Sequence, residues 1–216
     1  LQKVGYQTAV FGKWHLTSQP KGFDTYKVTR GQGSWFNPVF YTKKGEWYGK
    51  KKKRERVPGE KHEGYCSDVY TDQALQWLKA RDAKKLFCMM LHFKAPHHSY
   101  EYPERWKDYL KDTLIPEPPS LHEDVEKTSP LLKGVHTWHM INKNGYFGRH
   151  ETDKEPPMWP HDGSVRSKTS AAYQHMIHKY IRCVAAIDEN IHRVLGYLEA
   201  EGIKDETLIV YTSDQG

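Results

Sequence analysis

Residues 5–16 have the sequence GYQTAVFGKWHL, and this stretch sets the expected fold. The apolar run within it predicts a short strand over about 5–11 that ends in a turn at Gly12. Lys13 and His15 stand two residues apart in that turn, so their side chains point the same way. The cation can neutralise an anionic oxygen while the imidazole bonds a nucleophile or a leaving group. An ordinary polar turn is the alternative.

A second apolar run, residues 86–93, is followed by KAPHH at 94–98. The length of the run predicts a strand covered on both faces, as in a parallel sheet. Pro96 fixes the backbone before His97 and His98, and a histidine here can bind an ester oxygen or act as a general acid. Because the chain has 13 histidines, an ordinary surface histidine is the alternative.

The end of the sequence has a similar arrangement. Residues 207–212 predict a strand, and Asp214 and Gln215 follow it. Ligands gather at the carboxyl ends of parallel strands, so these two residues predict a metal site beside the anion site. Their oxygen donors suit calcium or magnesium better than zinc. The alternative is a helix cap formed by Ser213 and Asp214.

Two helices are predicted between the strands. The shorter covers about 68–81 with a cap at Ser67 and Asp68, and the longer covers about 170–201 with Gly202 as its stop. The order strand, helix, strand, long helix, strand predicts an α/β fold with a mainly parallel sheet. The apolar stripe expected on the longer helix comprises Tyr173, Ile177, Tyr180, Val184, Ile187, Ile191, Val194 and Leu198.

Two stretches predict irregular structure. Residues 17–60 predict loops with a hairpin near 39–41, and residues 113–165 predict a long irregular excursion. Both are expected to shape substrate choice. Their candidate stacking or polar contacts, for which local packing is the alternative, are Trp35, Trp138, His139 and Trp159.

Composition limits the classes of function. With 37% hydrophobic residues, the chain has no run near the roughly 18 apolar residues of a membrane helix. The formal charge of +6 favours anionic partners, and a lysine-rich run at 51–54 supplies much of it. Nucleic-acid binding would need basic residues interleaved with aromatics in a recognisable module, which the sequence lacks. The three cysteines show no C-x-x-C spacing, which argues against zinc and a disulfide framework.

Several segments resemble the type I, formylglycine-dependent sulfatases of the alkaline-phosphatase-like superfamily. Residues 5–16 resemble the family's second signature, 94–97 its Pro-His segment, and 188–216 its helix–strand unit ending in a metal motif. The resemblance covers nearly the whole chain and implies an α/β, alkaline-phosphatase-like fold with helices flanking a mainly parallel sheet. Resemblance to the mucin-desulfating and N-acetylglucosamine-6-sulfatase branch lies in residues 20–24, 31–33 and 92–97.

The resemblance implies a sulfuric ester hydrolase that acts on a sulfated sugar, with 6-sulfated N-acetylglucosamine of glycosaminoglycan or mucin glycans as the first candidate. Lys13 would bind the sulfate, His15 would contact the hydrated formylglycine, and His97 would bind sulfate near the leaving oxygen. His98 is the alternate for His97. The implied ligands of one calcium ion, with magnesium less favoured, are Asp214 and Gln215. The implied location is periplasmic, secreted or lysosomal.

The sequence departs from the family pattern because it lacks the C/S-x-P-S/A-R nucleophile motif. Cys66 has neither the Pro nor the Arg and is not a candidate. We therefore expect residues 1–216 to be part of one sulfatase catalytic domain truncated at both ends, inactive alone, with 113–165 as an irregular insertion. Two other functions remain open: a phosphatase or phosphodiesterase of the same superfamily, and a catalytically dead homologue that binds sulfated glycans.

Overall fold

A computed structural model describes residues 1–43, 59–123, 127 and 159–213 of the chain. These residues fall into two compact units. The first comprises Leu1–Lys94 with Ile187–Gly216, and the second comprises Ala95–Ala186.

The first unit is built on a three-stranded parallel sheet. Its strands are β1 (Gln7–Trp14), β2 (Thr25–Arg30) and, later in the chain, β5 (Phe87–His92), with β1 in the centre. A separate antiparallel ladder joins β3 (Val39–Phe40) to β4 (Glu60–Lys61), and helix α1 spans Cys66–Ala80. The parallel sheet and its helix confirm the predicted α/β class.

The central strand β1 is buried because both faces of the sheet are covered there. On one face Phe11 packs against Ala74 of α1. On the opposite face Val10 packs against Tyr26 and Val28 of β2. Because successive side chains of β1 point to opposite faces of the sheet, this strand contributes to the core of the first unit on both faces.

Gly12 lets β1 approach β5 closely. Its φ is +100°, and a Cβ on it would stand 2.0 Å from the carbonyl oxygen of His92. An L side chain fits neither that conformation nor that space. The predicted turn at 12–15 is wrong in this respect, because Gly12 to Trp14 continue the ladder with β2. Pairing with β2 keeps all three residues extended, and Gly12 also pairs with β5.

Three further predictions differ from the structure in the first unit. Strand β2 lies in a region predicted as loop. Its backbone partners come from β1, on the side of β1 that does not pair with β5. Strand β5 is confirmed, but Met90 is 43% exposed, because α1 covers only the face that carries Met89 and Leu91. The cap predicted at Ser67 and Asp68 is also wrong. Helix α1 begins at Cys66, whose N–H donates to the Trp35 carbonyl at 2.8 Å.

The strand predicted at 207–212 is absent from the described part of the chain. Residues 208–213 belong to no ladder there, and Leu208 and Val210 are 90% and 75% exposed. Ordering a strand costs conformational entropy, and no apolar surface is buried at this segment to offset it.

The long helix α2 spans Val165–Ala200, which confirms the second predicted helix. Its residues up to Ala186 belong to the second unit and the rest to the first. Gly202 ends it with φ +68°, and the N–H of Ile203 donates to the Leu198 carbonyl at 3.0 Å. Neither helix in the described residues is both long and apolar enough for a membrane crossing.

The second unit packs irregular chain against α2. Leu121, in a 3-10 helix at Pro119–His122, packs on Ala172 and Tyr173. Another 3-10 helix spans Glu104–Trp106. The predicted excursion at 113–165 falls mostly outside the described residues. Where it is described before α2, it is irregular chain with one 3-10 helix.

Polar side chains of α2 bond the backbone of this irregular chain. Gln174 both donates to and accepts from the peptide of Ile115, at 2.7 and 3.0 Å. The Nε2 of His178 lies 3.0 Å from the carbonyl oxygens of Leu110 and Thr113. These contacts give the buried peptide groups their partners without a strand or a helix.

Candidate active site

Parallel pairing brings the carboxyl ends of β1, β2 and β5 to one edge of the sheet. Lys13 pairs with Thr29 of β2, and Gly12 pairs with His92 of β5. The side chain of Lys13 is half-buried, whereas His15, just beyond the strand, is exposed. The structure therefore brings the two residues predicted from the 12–15 motif together at a carboxyl edge, where α/β proteins bind ligands.

His92 is a part of this edge to which the sequence assigned no role. Its ring is nearly parallel to that of Trp14, with centroids 6.3 Å apart and 8° between the planes. Burial lowers the pKa of His92, and a hydrogen bond to the backbone of Lys13 partly offsets that shift. His92 therefore packs beside the residue that follows the candidate sulfate-binding lysine, and its backbone pairs with Gly12 just before that lysine. Its signals in the sequence were its place as the polar residue near the end of the apolar run at 86–93 and its place in the branch resemblance at 92–97.

Lys94, two residues further on, is a buried cation at the same edge. Its Nζ donates to the carbonyl oxygen of Gln32 at 2.9 Å and lies 4.8 Å from the ring centroid of Trp35. Trp35 is itself 8% exposed and stacks on Tyr65. Local packing, the alternative interpretation of Trp35, therefore holds.

His97 and His98 lie in the second unit. Their rings are 4.0 Å apart, and the Nδ1 of His97 lies 3.3 Å from the carbonyl oxygen of His98. His97 is half-buried and His98 is exposed. The segment that follows packs on α2, where the Cys183 thiol donates to the Glu101 carbonyl at 3.3 Å and the rings of Tyr100 and Tyr180 meet edge to face.

The remaining aromatic candidates lie elsewhere. Trp159 belongs to the second unit and is half-buried, with its ring centroid 5.0 Å from that of His178. Local packing therefore describes Trp159 as well. Trp138 and His139 fall outside the described residues.

Cys66 does not have the environment of a nucleophile. The residue is fully buried, and burial raises the pKa of its thiol to about 12. A reactive cysteine needs a lowered pKa and access to substrate. The structure therefore agrees with its exclusion on sequence grounds.

The predicted metal ligands Asp214 and Gln215 fall outside the described residues. Within residues 1–43, 59–123, 127 and 159–213, no group of three or more His, Cys, Asp or Glu side chains could hold a metal ion. As a donor set, a carboxylate and an amide oxygen fit a hard cation such as calcium or magnesium, and two such residues fill only part of its coordination shell.

The family model described as Sulfatase matches residues 1–216. The chain belongs to the sulfatase family. Sulfatases generally use a formylglycine nucleophile and a divalent metal.

Similar proteins agree with this family. The chain is 34% identical to the N-acetylglucosamine-6-O-sulfatase of Bacteroides thetaiotaomicron, covering 100% of this chain and 43% of that protein. It is 26% identical to an arylsulfatase of Klebsiella aerogenes, covering 99% and 45%. The structure of BT4656 in complex with its substrate D-glucosamine-2-N,6-O-disulfate matches with a TM-score of 0.73 and 28% identity, covering 95% of this chain and 46% of that one.

These similarities confirm the alkaline-phosphatase-like fold predicted from the sequence. The chain spans less than half the length of these relatives.

Proposed function

We propose that the protein is a sulfatase that removes the sulfate group from a sulfated sugar, with 6-sulfated N-acetylglucosamine in glycosaminoglycan or mucin glycans as the substrate. One observation carries the proposal: the chain aligns over its whole length, at 34% identity, with a relative named for that activity. The half-buried cation of Lys13 at the carboxyl edge of the sheet supports it, because a sulfate ester is an anion.

Lys13 binds a sulfate oxygen in this proposal. Negative charge on the sulfate oxygens must be neutralised as the bond from sulfur to the sugar oxygen breaks, and a fixed ammonium does so without reorganising. The pairing of Lys13 with Thr29 of β2 keeps its backbone in the sheet at this edge. His15 contacts the nucleophile in this proposal, and its exposure just beyond β1 supports that role.

His97 protonates the departing sugar oxygen, with His98 as the alternate. An imidazole can give up a proton from its ring nitrogen to a leaving oxygen, and His97 is half-buried. This role rests on the resemblance of residues 94–97 to the family's Pro-His segment.

Asp214 and Gln215 are the proposed ligands of a calcium ion, which would supply further positive charge to the sulfate group when bound. Their oxygen donors favour calcium, with magnesium less favoured. The sulfated sugar is the proposed partner, and the proposed location is periplasmic, secreted or lysosomal, as is typical of the family.

A phosphatase or phosphodiesterase is the second candidate function. The chain is 29% identical, over 76% of its length, to the multifunctional alkaline phosphatase superfamily protein PehA of Trinickia caryophylli. Phosphate and sulfate esters are both tetrahedral oxyanions, so one lysine serves either.

Replacement of Lys13 tests the proposal. In the full-length protein we expect Lys13→Ala to lower kcat/KM for N-acetylglucosamine 6-sulfate by about 100- to 1,000-fold, because a charge at the reacting group is lost. The control is Lys21→Ala, which removes an exposed cation of the same unit and should leave the rate unchanged.

Initial rates on the sulfate ester and on N-acetylglucosamine 6-phosphate complete the test. Near wild-type desulfation by Lys13→Ala would contradict the role of Lys13. Faster hydrolysis of the phosphate ester by the wild-type protein would establish the second candidate instead.

A further inference from the structure

The loop that follows β2 begins directly beside the candidate sulfate-binding residues. The N–H of Gly31 donates to the carbonyl oxygen of Trp14 at 3.2 Å. Trp14 stands between Lys13 and His15 in the chain, so this bond ties the first residue of the loop to the candidate site. Gln32 is the next residue.

The backbone of Gln32 is held on several sides. Its carbonyl oxygen accepts from the buried ammonium of Lys94 at 2.9 Å. The N–H of Gly33 donates to the Arg30 carbonyl at 3.2 Å, and a Cβ on Gly33 would stand 2.9 Å from Thr29 Oγ1. Gly31 and Gly33 have φ of +61° and +64°, so the loop has a conformation that favours glycine on both sides of Gln32.

The residue at the centre of this fixed loop is exposed. Exposed glutamines on loops are usually mobile and bind nothing. At Gln32 the fold already orders the backbone. Binding a ligand through its side chain therefore costs less conformational entropy. The amide offers both donors and an acceptor. The hydroxyl and acetamido groups of a sugar can partner all of them, whereas a sulfate, which only accepts, can partner the donors alone.

We propose that Gln32 contacts the sugar that carries the sulfate, and that Lys94 is the positioning residue that holds Gln32 in place. This inference rests on the proposed function and adds a residue that selects the uncharged part of the substrate. Lys13 then binds the anion, and Gln32 distinguishes a sugar from other sulfate esters.

The first test measures binding without turnover. N-acetylglucosamine and inorganic sulfate are titrated separately into the full-length protein and followed by NMR. We expect Gln32→Ala to weaken N-acetylglucosamine binding by about fivefold, the effect of losing a neutral hydrogen bond, and to leave sulfate binding unchanged. The matched control is Gln76→Ala, which changes an exposed glutamine on α1 and should alter neither titration.

The second test separates substrates. Gln32→Ala should lower kcat/KM for N-acetylglucosamine 6-sulfate by a similar factor and leave kcat/KM for 4-nitrophenyl sulfate as in the wild type. If the wild-type protein hydrolyses neither ester, the proposed function fails, while the titrations still decide whether Gln32 contacts the sugar.

A double-mutant cycle tests Lys94. Lys94→Met should weaken N-acetylglucosamine binding in the same way, and the double variant with Gln32→Ala should be no weaker than either single variant, because both changes remove one interaction. Lys94→Arg, which keeps the cation, should retain part of the affinity. If Lys94→Met does not fold, Lys94→Arg and Gln32→Ala still test the inference.

Unchanged N-acetylglucosamine binding by Gln32→Ala would overturn the proposal. If Gln32→Ala weakened sulfate and sugar binding equally, the proposal would also be overturned, because the loop would then affect only the general shape of the site at the carboxyl edge of the sheet. No detectable binding of N-acetylglucosamine by the wild-type protein would be a third contradiction. Additive losses in the cycle would overturn the role of Lys94.

Discussion

At the scale of single residues, Lys13 carries the charge of the candidate site and its neighbours fix where that charge stands. Gly12 allows the close approach of β5, and the ring of His92 on that strand lies against Trp14. A lysine has a long, flexible side chain, so pairing of its backbone in the sheet restricts the positions its ammonium can reach.

The lowered pKa of His92 predicts a pH dependence of stability. The unfolded histidine binds a proton below about pH 6.5, whereas the folded one stays neutral to a lower pH. Between the folded and unfolded pKa values the unfolded state therefore binds more protons than the folded state. The stability that neutral His92 contributes is present above the unfolded pKa and is lost as pH falls through the folded pKa. We expect His92→Asn to show a shallower loss of stability on acidification than the wild type.

Urea unfolding of both proteins at several pH values between about 7.5 and 5 measures this difference. Met90→Leu, on the same strand and without a titrating group, is the control and should follow the wild-type slope. Parallel curves for His92→Asn and the wild type would contradict the prediction.

Single residues also show what the sequence could reveal about the site. Lys13 and His15 were predicted because their chemistry and spacing are visible in one short motif. The contacts of His92 and Lys94 were not, because each reaches a strand or loop about 60 to 80 residues away in the chain. Sequence periodicity carries no information on such partners. The roles of all the candidate site residues stay predictions: Lys13, His15, His97, His98, Asp214 and Gln215.

At the scale of elements, helix α2 differs most from its predicted pattern. The apolar stripe placed Tyr180 and Val184 on the buried face, yet they are 39% and 38% exposed. The buried face in the second unit instead includes Gln174, His178 and Arg182. The pattern is incomplete there because α2 packs on irregular chain, whose buried peptide groups need polar partners beside the apolar contact of Leu121 with Ala172 and Tyr173.

Polar contacts also join α1 to α2 within the first unit. The fully buried Asn190 donates to Asp68 at 2.7 Å and accepts from Arg193 at 2.9 Å, and Arg193 pairs with Asp72. We expect Asn190→Ala to lower the free energy of unfolding by about 2 kcal/mol, because it removes the buried amide and leaves a cavity.

Denaturant unfolding followed by circular dichroism measures the change. The control is Glu189→Ala, at the neighbouring half-buried residue of the same helix, which should cost less than Asn190→Ala. If Asn190→Ala lowered the free energy of unfolding no more than Glu189→Ala, the hydrogen bonds of Asn190 would not be important for stability.

At the scale of the whole chain, the formal charge of +6 favours the anionic substrate proposed above. Long-range attraction between opposite charges weakens as added salt shortens the Debye length. We therefore expect KM for N-acetylglucosamine 6-sulfate to rise about threefold between roughly 0.05 and 0.5 M sodium chloride, with little change in kcat.

Initial rates at constant pH test this expectation. Exchanging the buffer at fixed ionic strength is the control and should leave KM unchanged. A KM that is flat or falls with salt would show that the net charge takes no part in substrate capture.

The whole-chain fold was the most predictable part of the molecule. Strand β5, both helices and the parallel sheet followed from apolar runs and helical periodicity. Strand β2 was missed and the strand at 207–212 was wrong, because a strand depends on a neighbour that local sequence does not name.

The polar face of α2 has a consequence for how the second unit can change over evolutionary time. Gln174, His178 and Arg182 bond main-chain groups of residues 109–115, which every amino acid carries. Substitutions in that segment can therefore alter its side chains while its path is kept. We therefore expect related proteins to vary more in the side chains of this segment than at the three helix residues that bond its backbone.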